Sequence, residues 1–201
     1  MLEPEFSIEL RERARGQLRA RMRALRAAYP EGALSGRSAA IVERVAALSV
    51  FQGARSVALF WPLAREVDLR ALDGLCRSSG KLVYYPVMDP IPSGVSTGFA
   101  LSESTAELAP RSERFCEPPA AAPRAQRGDI ELVVVPALAV GANGHRLGYG
   151  RGFYDVTLPD FRPPAQSVVV AYEFQLLSEL PELSHDVASD YVVTDSRTLT
   201  V

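Results

Sequence analysis

The sequence predicts an α/β fold on a mostly parallel central sheet, and three observations carry that prediction. Strand-like apolar runs alternate with segments of helical period along the chain. The strongest run, "IELVVVPALAV" (130–140), is apolar and β-branched throughout, as parallel strands covered on both faces are. A chain of 201 residues with 47% hydrophobic composition can bury a sizeable core as a single domain, 1–201, without staples.

Two helices come first. Ser7 to Ala28 carries Leu18, Met22 and Leu25 at helical spacing, and Ser35 to Val50 follows with Ile41, Val45 and Leu48. Tyr29-Pro30-Glu31-Gly32 breaks the chain between them. "SVALFW" (56–61) reads as a buried strand ended by Pro62, and Asp68 suits the N-cap of the next helix. "KLVYYPV" (81–87) and "VSTGFALS" (95–102) read as strands separated by the turn "DPIPSG". From Glu103 to Asp129 the composition is that of a long surface loop. After the strand at 130–140 come a glycine-rich segment, a short helix near Arg151 to Leu158, and strands at 167–174 and 191–195. Ligands of such sheets sit beyond the carboxyl ends of the strands, where the glycine-rich segment is expected.

Net charge is −2, so any anion site has to be local rather than a property of the whole surface. The N-terminus has no apolar signal core, and no apolar run approaches the roughly 20 residues that span a membrane. Cys76 and Cys116 form no CxxC pair, which suits a reducing cytoplasm. The N-terminal arginines lack interleaved aromatics, and a nucleic-acid partner is not expected.

The segment "GHRLGYGRGFYD", Gly144 to Asp155, concentrates the chemistry. Gly148, Gly150 and Gly152 alternate with Tyr149 and Arg151, which lets successive N–H groups approach an anion without a Cβ between. A helix starting near Gly152 would add its positive end. Arg146 and Arg151 supply forked donors for phosphate, and Asp155 could hold a magnesium ion. The segment is neither GxxxxGK[ST] nor GxGxxG, so it fits a plain glycine-rich connection as well as an anion cradle. Arg15, Arg19 and Arg26 fall within roughly 40° of one another on a helix. They fit either a solvated basic face or a phosphate clamp, with their heads reaching along the surface.

Together these residues resemble the 5-formyltetrahydrofolate cyclo-ligases, also called methenyltetrahydrofolate synthetases. The family hallmark, approximately FDxxGxRLGxGxGYYD, is matched by "VGANGHRLGYGRGFYD" (140–155). "RGQLR" (15–19) with Arg26 is similar to the family's N-terminal Lys-x-x-Leu-Arg and later arginine. "FWPLAREVD" (60–68), "CEPP" (116–119) and "HDVASD" (185–190) before "YVVTD" match in family order across almost the whole chain.

The resemblance implies a three-layer α/β/α fold of the NagB/RpiA/CoA-transferase-like class. It implies ATP- and Mg²⁺-dependent cyclisation of 5-formyltetrahydrofolate to 5,10-methenyltetrahydrofolate through a phosphorylated formyl group, releasing ADP and phosphate. The folate could carry a polyglutamate tail, and the enzyme is expected to act as a cytoplasmic monomer. Carried over by position, Arg15, Arg19 and the run Arg146, Leu147, Gly148, Tyr149, Gly150, Arg151, Gly152, Phe153 and Tyr154 would bind ATP. Arg151 and Arg146 would act in catalysis. Trp61, Glu66, Arg19, Tyr149, Arg151 and Phe153 would bind the folate, and Asp155 and Asp186 the magnesium. Arg15 replaces the family's lysine, Gly141 an aspartate, Phe153 a tyrosine, and Val156 a frequent basic residue. The alternative is a non-catalytic folate- or nucleotide-binding module of the same fold.

Overall fold

The computed structural model describes residues 4–92, 94–112 and 115–201. Its centre is a seven-stranded sheet. In chain order its strands are β1 (Ser56–Ala58), β2 (Leu82–Ile91), β3 (Gly94–Leu101), then β6 (Leu132–Pro136), β9 (Gln166–Val170), β11 (Tyr191–Val193) and β12 (Thr198–Thr200). Between β3 and β6 lies a small hairpin, β4 (Ala109–Ser112) and β5 (Phe115–Glu117). A three-stranded sheet of β7 (Ala139–Gly141), β8 (Arg146–Leu147) and β10 (Leu176–Leu177) completes the set. The large sheet runs β12-β11-β9-β6-β1-β2-β3, parallel throughout except for antiparallel edges at β3 and β12.

Two faces of this sheet are covered, which gives the three expected layers. Alternate residues of one strand point to opposite sides, so Val57 and Val134 join one cluster while Ala58 and Val133 join the other. The first cluster packs against α2 (Glu31–Ala47), α3 (Ser49–Gly53) and α4 (Arg70–Ser78) through Ile41, Val45, Phe51 and Leu72. The second packs against α5 (Phe153–Phe161) through Leu158 and Phe161. A separate cluster of Met22, Leu138, Ala139 and Leu147 docks α1 (Pro4–Ala28) onto the small sheet.

Several local expectations change. The run 130–140 is two strands, because the chain leaves the large sheet after Pro136. Gln175 holds that exit, donating from Nε2 to the carbonyls of Ala137 and Leu138 at 3.2 and 2.9 Å. "DPIPSG" is not a wide turn: β2 runs to Ile91 and pairs with Gly94. β1 pairs β2 only as far as Tyr84, so beyond it β2 has a strand partner on one side, where Pro86 and Pro90 are tolerated. The stretch 103–129 contains a 3₁₀ turn and the β4–β5 hairpin rather than loop alone. Ser93 of the expected turn, and Glu113 and Arg114 of the expected loop, lie outside the described residues. Asp68 accepts from the Arg70 backbone N–H at 3.0 Å, one residue before the N-cap position, which Leu69 takes.

Candidate active site

Strand order reverses at β1. From there the chain steps outward to β2 on one side, and later to β6 and β9 on the other. A crevice beyond the carboxyl ends of the strands at such a switch is where α/β sheets take ligands. A cleft of about 840 Å³, open mouth included, lies there. Trp61 and Glu66 enter it from the segment after β1, Pro136 from the end of β6, and Gly148 to Asp155 from the far wall.

The glycine segment does not leave the central strand directly. It follows the β7–β8 hairpin, which turns the chain back toward the sheet and places Arg146 on β8. Gly152 is the N-cap of α5 with φ 66°, and Gly150 has φ 97°, conformations that side chains other than glycine rarely adopt. Asp155 sits in the first turn of α5, where a carboxylate favours the helix dipole. Arg151 is exposed on the cleft wall and makes no hydrogen bond or ion pair among the described residues. Phe153 and Tyr154 are packed edge to face at 4.9 Å.

Arginine burial overturns the expectation that the α1 stripe reaches along the surface. Arg15 is 6% exposed and Arg26 7%. Arg15 forks onto Asp186, with Nη1 to Oδ2 at 2.5 Å and Nη2 to Oδ1 at 3.0 Å, and also donates to the Pro181 carbonyl. Arg19 donates from Nε to the Gly148 carbonyl at 3.0 Å, bringing its guanidinium against Gly150. Burial, with Arg15 nearby, lowers the Arg19 pKa. Arg26 donates to the Tyr149 hydroxyl and lies 3.8 Å from Glu66 Oε1. The three arginines therefore meet different parts of the chain: Asp186 and Pro181, then Gly148, then Tyr149 and Glu66.

Arg146 is buried, donating to the Val187 carbonyl at 2.6 Å and to Asp155 Oδ1 at 2.8 Å. Burial lowers its pKa, and Asp155 opposes that shift. Asp155 Oδ1 also accepts from the Val187 N–H at 3.3 Å, which brings the 181–187 segment against the start of α5. Asp186 is subject to burial, which raises its pKa. The hydrogen bonds from Arg15 and the Leu183 N–H outweigh that effect and leave it below the ordinary value.

Glu66 is 8% exposed. Its Oε2 accepts from the Leu63 N–H at 2.9 Å, while buried Oε1 has no hydrogen-bond partner. A buried carboxylate oxygen in that condition is costly, and its position on the cleft wall suits a ligand donor. Tyr149 and Tyr154 both have raised pKa values, from burial first and the Glu66 charge second, so both hydroxyls stay protonated at neutral pH. Trp61 lines the same cleft and meets Tyr85 edge to face at 6.4 Å.

The candidate metal residues fit unequally. Magnesium needs only one or two carboxylates beside phosphate oxygens and water. Asp155 uses Oδ1 for both of its hydrogen bonds and lines the cleft. Asp186 commits both oxygens to Arg15. No group of three or more His, Cys, Asp or Glu suited to a metal occurs among the described residues.

Sequence reasoning brought most of the cleft together but missed Phe60, Leu63, Pro86, Cys116 and Pro136 on its wall. The "CEPP" match was the available signal for Cys116 and "FWPLAREVD" for Phe60 and Leu63; Pro86 and Pro136 carry no such signal. It also left Arg26 without a partner.

Comparison with known proteins follows the same line. The family model described as the 5-formyltetrahydrofolate cyclo-ligase family matches residues 11–195. The 5-formyltetrahydrofolate cyclo-ligase of Mycolicibacterium smegmatis is 30% identical over 192 residues, covering 92% of this chain and 95% of its own. That of Escherichia coli K12 is 31% identical over 151 residues, 72% of this chain and 80% of its own. The solved 5,10-methenyltetrahydrofolate synthetase of Aquifex aeolicus superposes with a TM-score of 0.79 at 27% identity, over 92% of each chain. The Mycoplasma pneumoniae synthetase, at 21% identity, shares the fold with a TM-score of 0.71, over 90% of this chain and 98% of its own.

Proposed function

The chain belongs to the 5-formyltetrahydrofolate cyclo-ligase family and is an enzyme with 5,10-methenyltetrahydrofolate synthetase activity; from that premise we propose that it cyclises 5-formyltetrahydrofolate with ATP through a phosphorylated formyl group. One observation carries the proposal. Arg146, Arg151, the glycine loop, Asp155 and Glu66 line one cleft at the strand-order switch, and Arg19 and Arg26 of α1 bond to the loop at Gly148 and Tyr149.

A formamide carbon is a poor electrophile because its oxygen is a poor leaving group. In the proposed reaction the formyl oxygen attacks the γ-phosphorus of ATP and ADP departs. N10 then attacks the formyl carbon and loses its proton. Breaking the C–O bond expels phosphate, and the N5–C double bond forms. Charge neutralisation and alignment are the main demands of the first step.

This chain's residues can meet those demands. Arg19, packed on Gly150, and exposed Arg151 are the donors placed to hold the phosphate chain, with the N–H groups from Gly148 to Gly152 and the start of α5. Arg146 is a positioning group in this scheme, because its donors are engaged by Val187 and Asp155. Asp155 would hold magnesium, which supplies charge neutralisation on the phosphates when bound. Asp186 would join it only by releasing Arg15, which then becomes available to phosphate. Glu66 would take N–H donors of the pterin ring, with Trp61, Tyr149 and Phe153 packing beside it and Tyr154 against either ligand.

The proposed location is the cytoplasm, where the free thiols of Cys76 and Cys116 persist, and the proposed active unit is the monomer. No helix among the described residues is long and apolar enough to cross a membrane. Purified protein given 5-formyltetrahydrofolate, ATP and Mg²⁺ is expected to develop methenyltetrahydrofolate absorbance. Omitting ATP should abolish the signal, and product formed equally well without ATP would overturn the proposal.

A further inference from the structure

Arg26 is the one member of the α1 stripe that the proposed reaction leaves without a role. It lies in the last turn of α1, where a solvated basic face would keep it in water, yet it is 7% exposed. Neighbouring Arg23 is exposed. Burying a guanidinium without compensation is costly, so its partners carry the information.

Those partners are two cleft residues from different parts of the chain. Arg26 Nη2 donates to the Tyr149 hydroxyl, and the guanidinium lies 5.6 Å from the centre of the Tyr149 ring. Nη1 stands 3.8 Å from Glu66 Oε1, within ion-pair range but making no hydrogen bond. The side chains of Arg26 and Glu66 are 8% and 5% exposed, so the pair interacts with little screening. With Oε2 tied to the Leu63 N–H, the carboxylate is fixed in orientation. The arginine supplies charge compensation at Oε1 without bonding it, and the Tyr149 hydroxyl that it holds faces the same carboxylate.

We propose that Arg26 is a positioning residue for folate binding, acting through Glu66 and Tyr149. It aims the Glu66 carboxylate and couples it to the glycine loop that carries Tyr149. This inference rests on the reading of Glu66 as a folate-binding group.

A double-mutant cycle tests it. Arg26→Gln, Arg26→Lys, Glu66→Gln and the double variants are compared for 5-formyltetrahydrofolate Kd by calorimetry, for KM and kcat, and for melting temperature. Arg26→Gln is expected to raise the folate Kd and KM about tenfold or more, the scale of one lost charge-assisted contact. Turnover at saturating folate should change far less, and Arg26→Lys should recover most of the affinity. In the Glu66→Gln background the second change should add little, because the group Arg26 acts through has lost its charge. Equal penalties in both backgrounds, or a fall in kcat with folate Kd unchanged, would overturn the inference. Should Arg26→Gln fail to fold, Arg26→Met, which keeps the apolar stem and removes the charge, supplies the cycle with and without Glu66→Gln, and additivity there overturns it equally. If Glu66→Gln leaves folate binding unchanged, the reading of Glu66 fails and the inference falls with it. If Glu66→Gln weakens binding and Arg26→Gln does not, only the inference fails.

Discussion

Gly150→Ala separates backbone strain from ligand binding in the phosphate loop. The residue has φ 97°, and an added Cβ would lie 3.5 Å from Arg19 Cζ and 3.6 Å from its Nε. Those are ordinary contact distances, so steric conflict contributes little. Holding an L residue in the left-handed region costs roughly 1–2 kcal/mol. A stiffer unfolded chain returns about 0.4–1 kcal/mol. The net loss is about 1 kcal/mol, or roughly 2–4 °C in melting temperature for a chain of this size. The effect on ATP should be larger, because the methyl group stands where a phosphate would approach the N–H groups of the loop. One lost charge-assisted contact raises the ATP KM about tenfold or more. Gly148→Ala is the control: its Cβ meets nothing within 4 Å, so thermal stability should stay at the wild-type value while ATP binding weakens. Scanning calorimetry and steady-state kinetics on both variants read the two effects. An unchanged ATP KM in both would refute the phosphate-cradle reasoning, and a melting shift well beyond the strain value in Gly150→Ala would refute the steric part.

Acid unfolding reports on the Arg15–Asp186 pair. The Asp186 carboxyl is held below its ordinary value of 3.8, so its contribution is full above that value and is lost as pH falls through the lower folded value. Asp186→Asn leaves Arg15 buried without its partner and should cost about 3 kcal/mol near neutrality. The gap from wild type should close below pH 3.8 in denaturant titrations, and a constant gap down to pH 2 would contradict it. Thiol labelling tests the cleft wall. Cys76 is buried, and its thiol is pushed up to about 12, so it should not react at pH 8. Cys116 lines the cleft and should react slowly, with 5-formyltetrahydrofolate protecting it; labelling indifferent to folate would place the ligand elsewhere. Arg151→Ala should lower turnover at least about 100-fold, the scale of a group that stabilises transferring charge, with the melting temperature unchanged because the side chain is exposed. Unimpaired turnover would remove Arg151 from catalysis.

Sequence reading succeeded where local pattern dictates structure. Alternation of helix and strand gave the layered sheet, and the glycines at 150 and 152 gave the turn into α5 because few other residues are comfortable at those backbone angles. It failed where the deciding contact is distant. Helical spacing put Arg15, Arg19 and Arg26 on one sector of α1, but their burial depends on Asp186, Gly148, Tyr149 and Glu66. The continuous look of 130–140 hid the break after Pro136, since both halves are buried and apolar and only Gln175, far along the chain, caps the exit. The edge strand β12 went unseen because "TLT" is short and largely exposed.

Passage of phosphate to the formyl oxygen within this cleft can be followed by an isotope experiment. 5-Formyltetrahydrofolate labelled with ¹⁸O in the formyl group is turned over with unlabelled ATP, and the released inorganic phosphate is analysed by mass spectrometry. One ¹⁸O atom is expected in each phosphate, because the formyl oxygen forms the bond to phosphorus and leaves with it. Product formed with ¹⁸O retained in water and none in phosphate would contradict it.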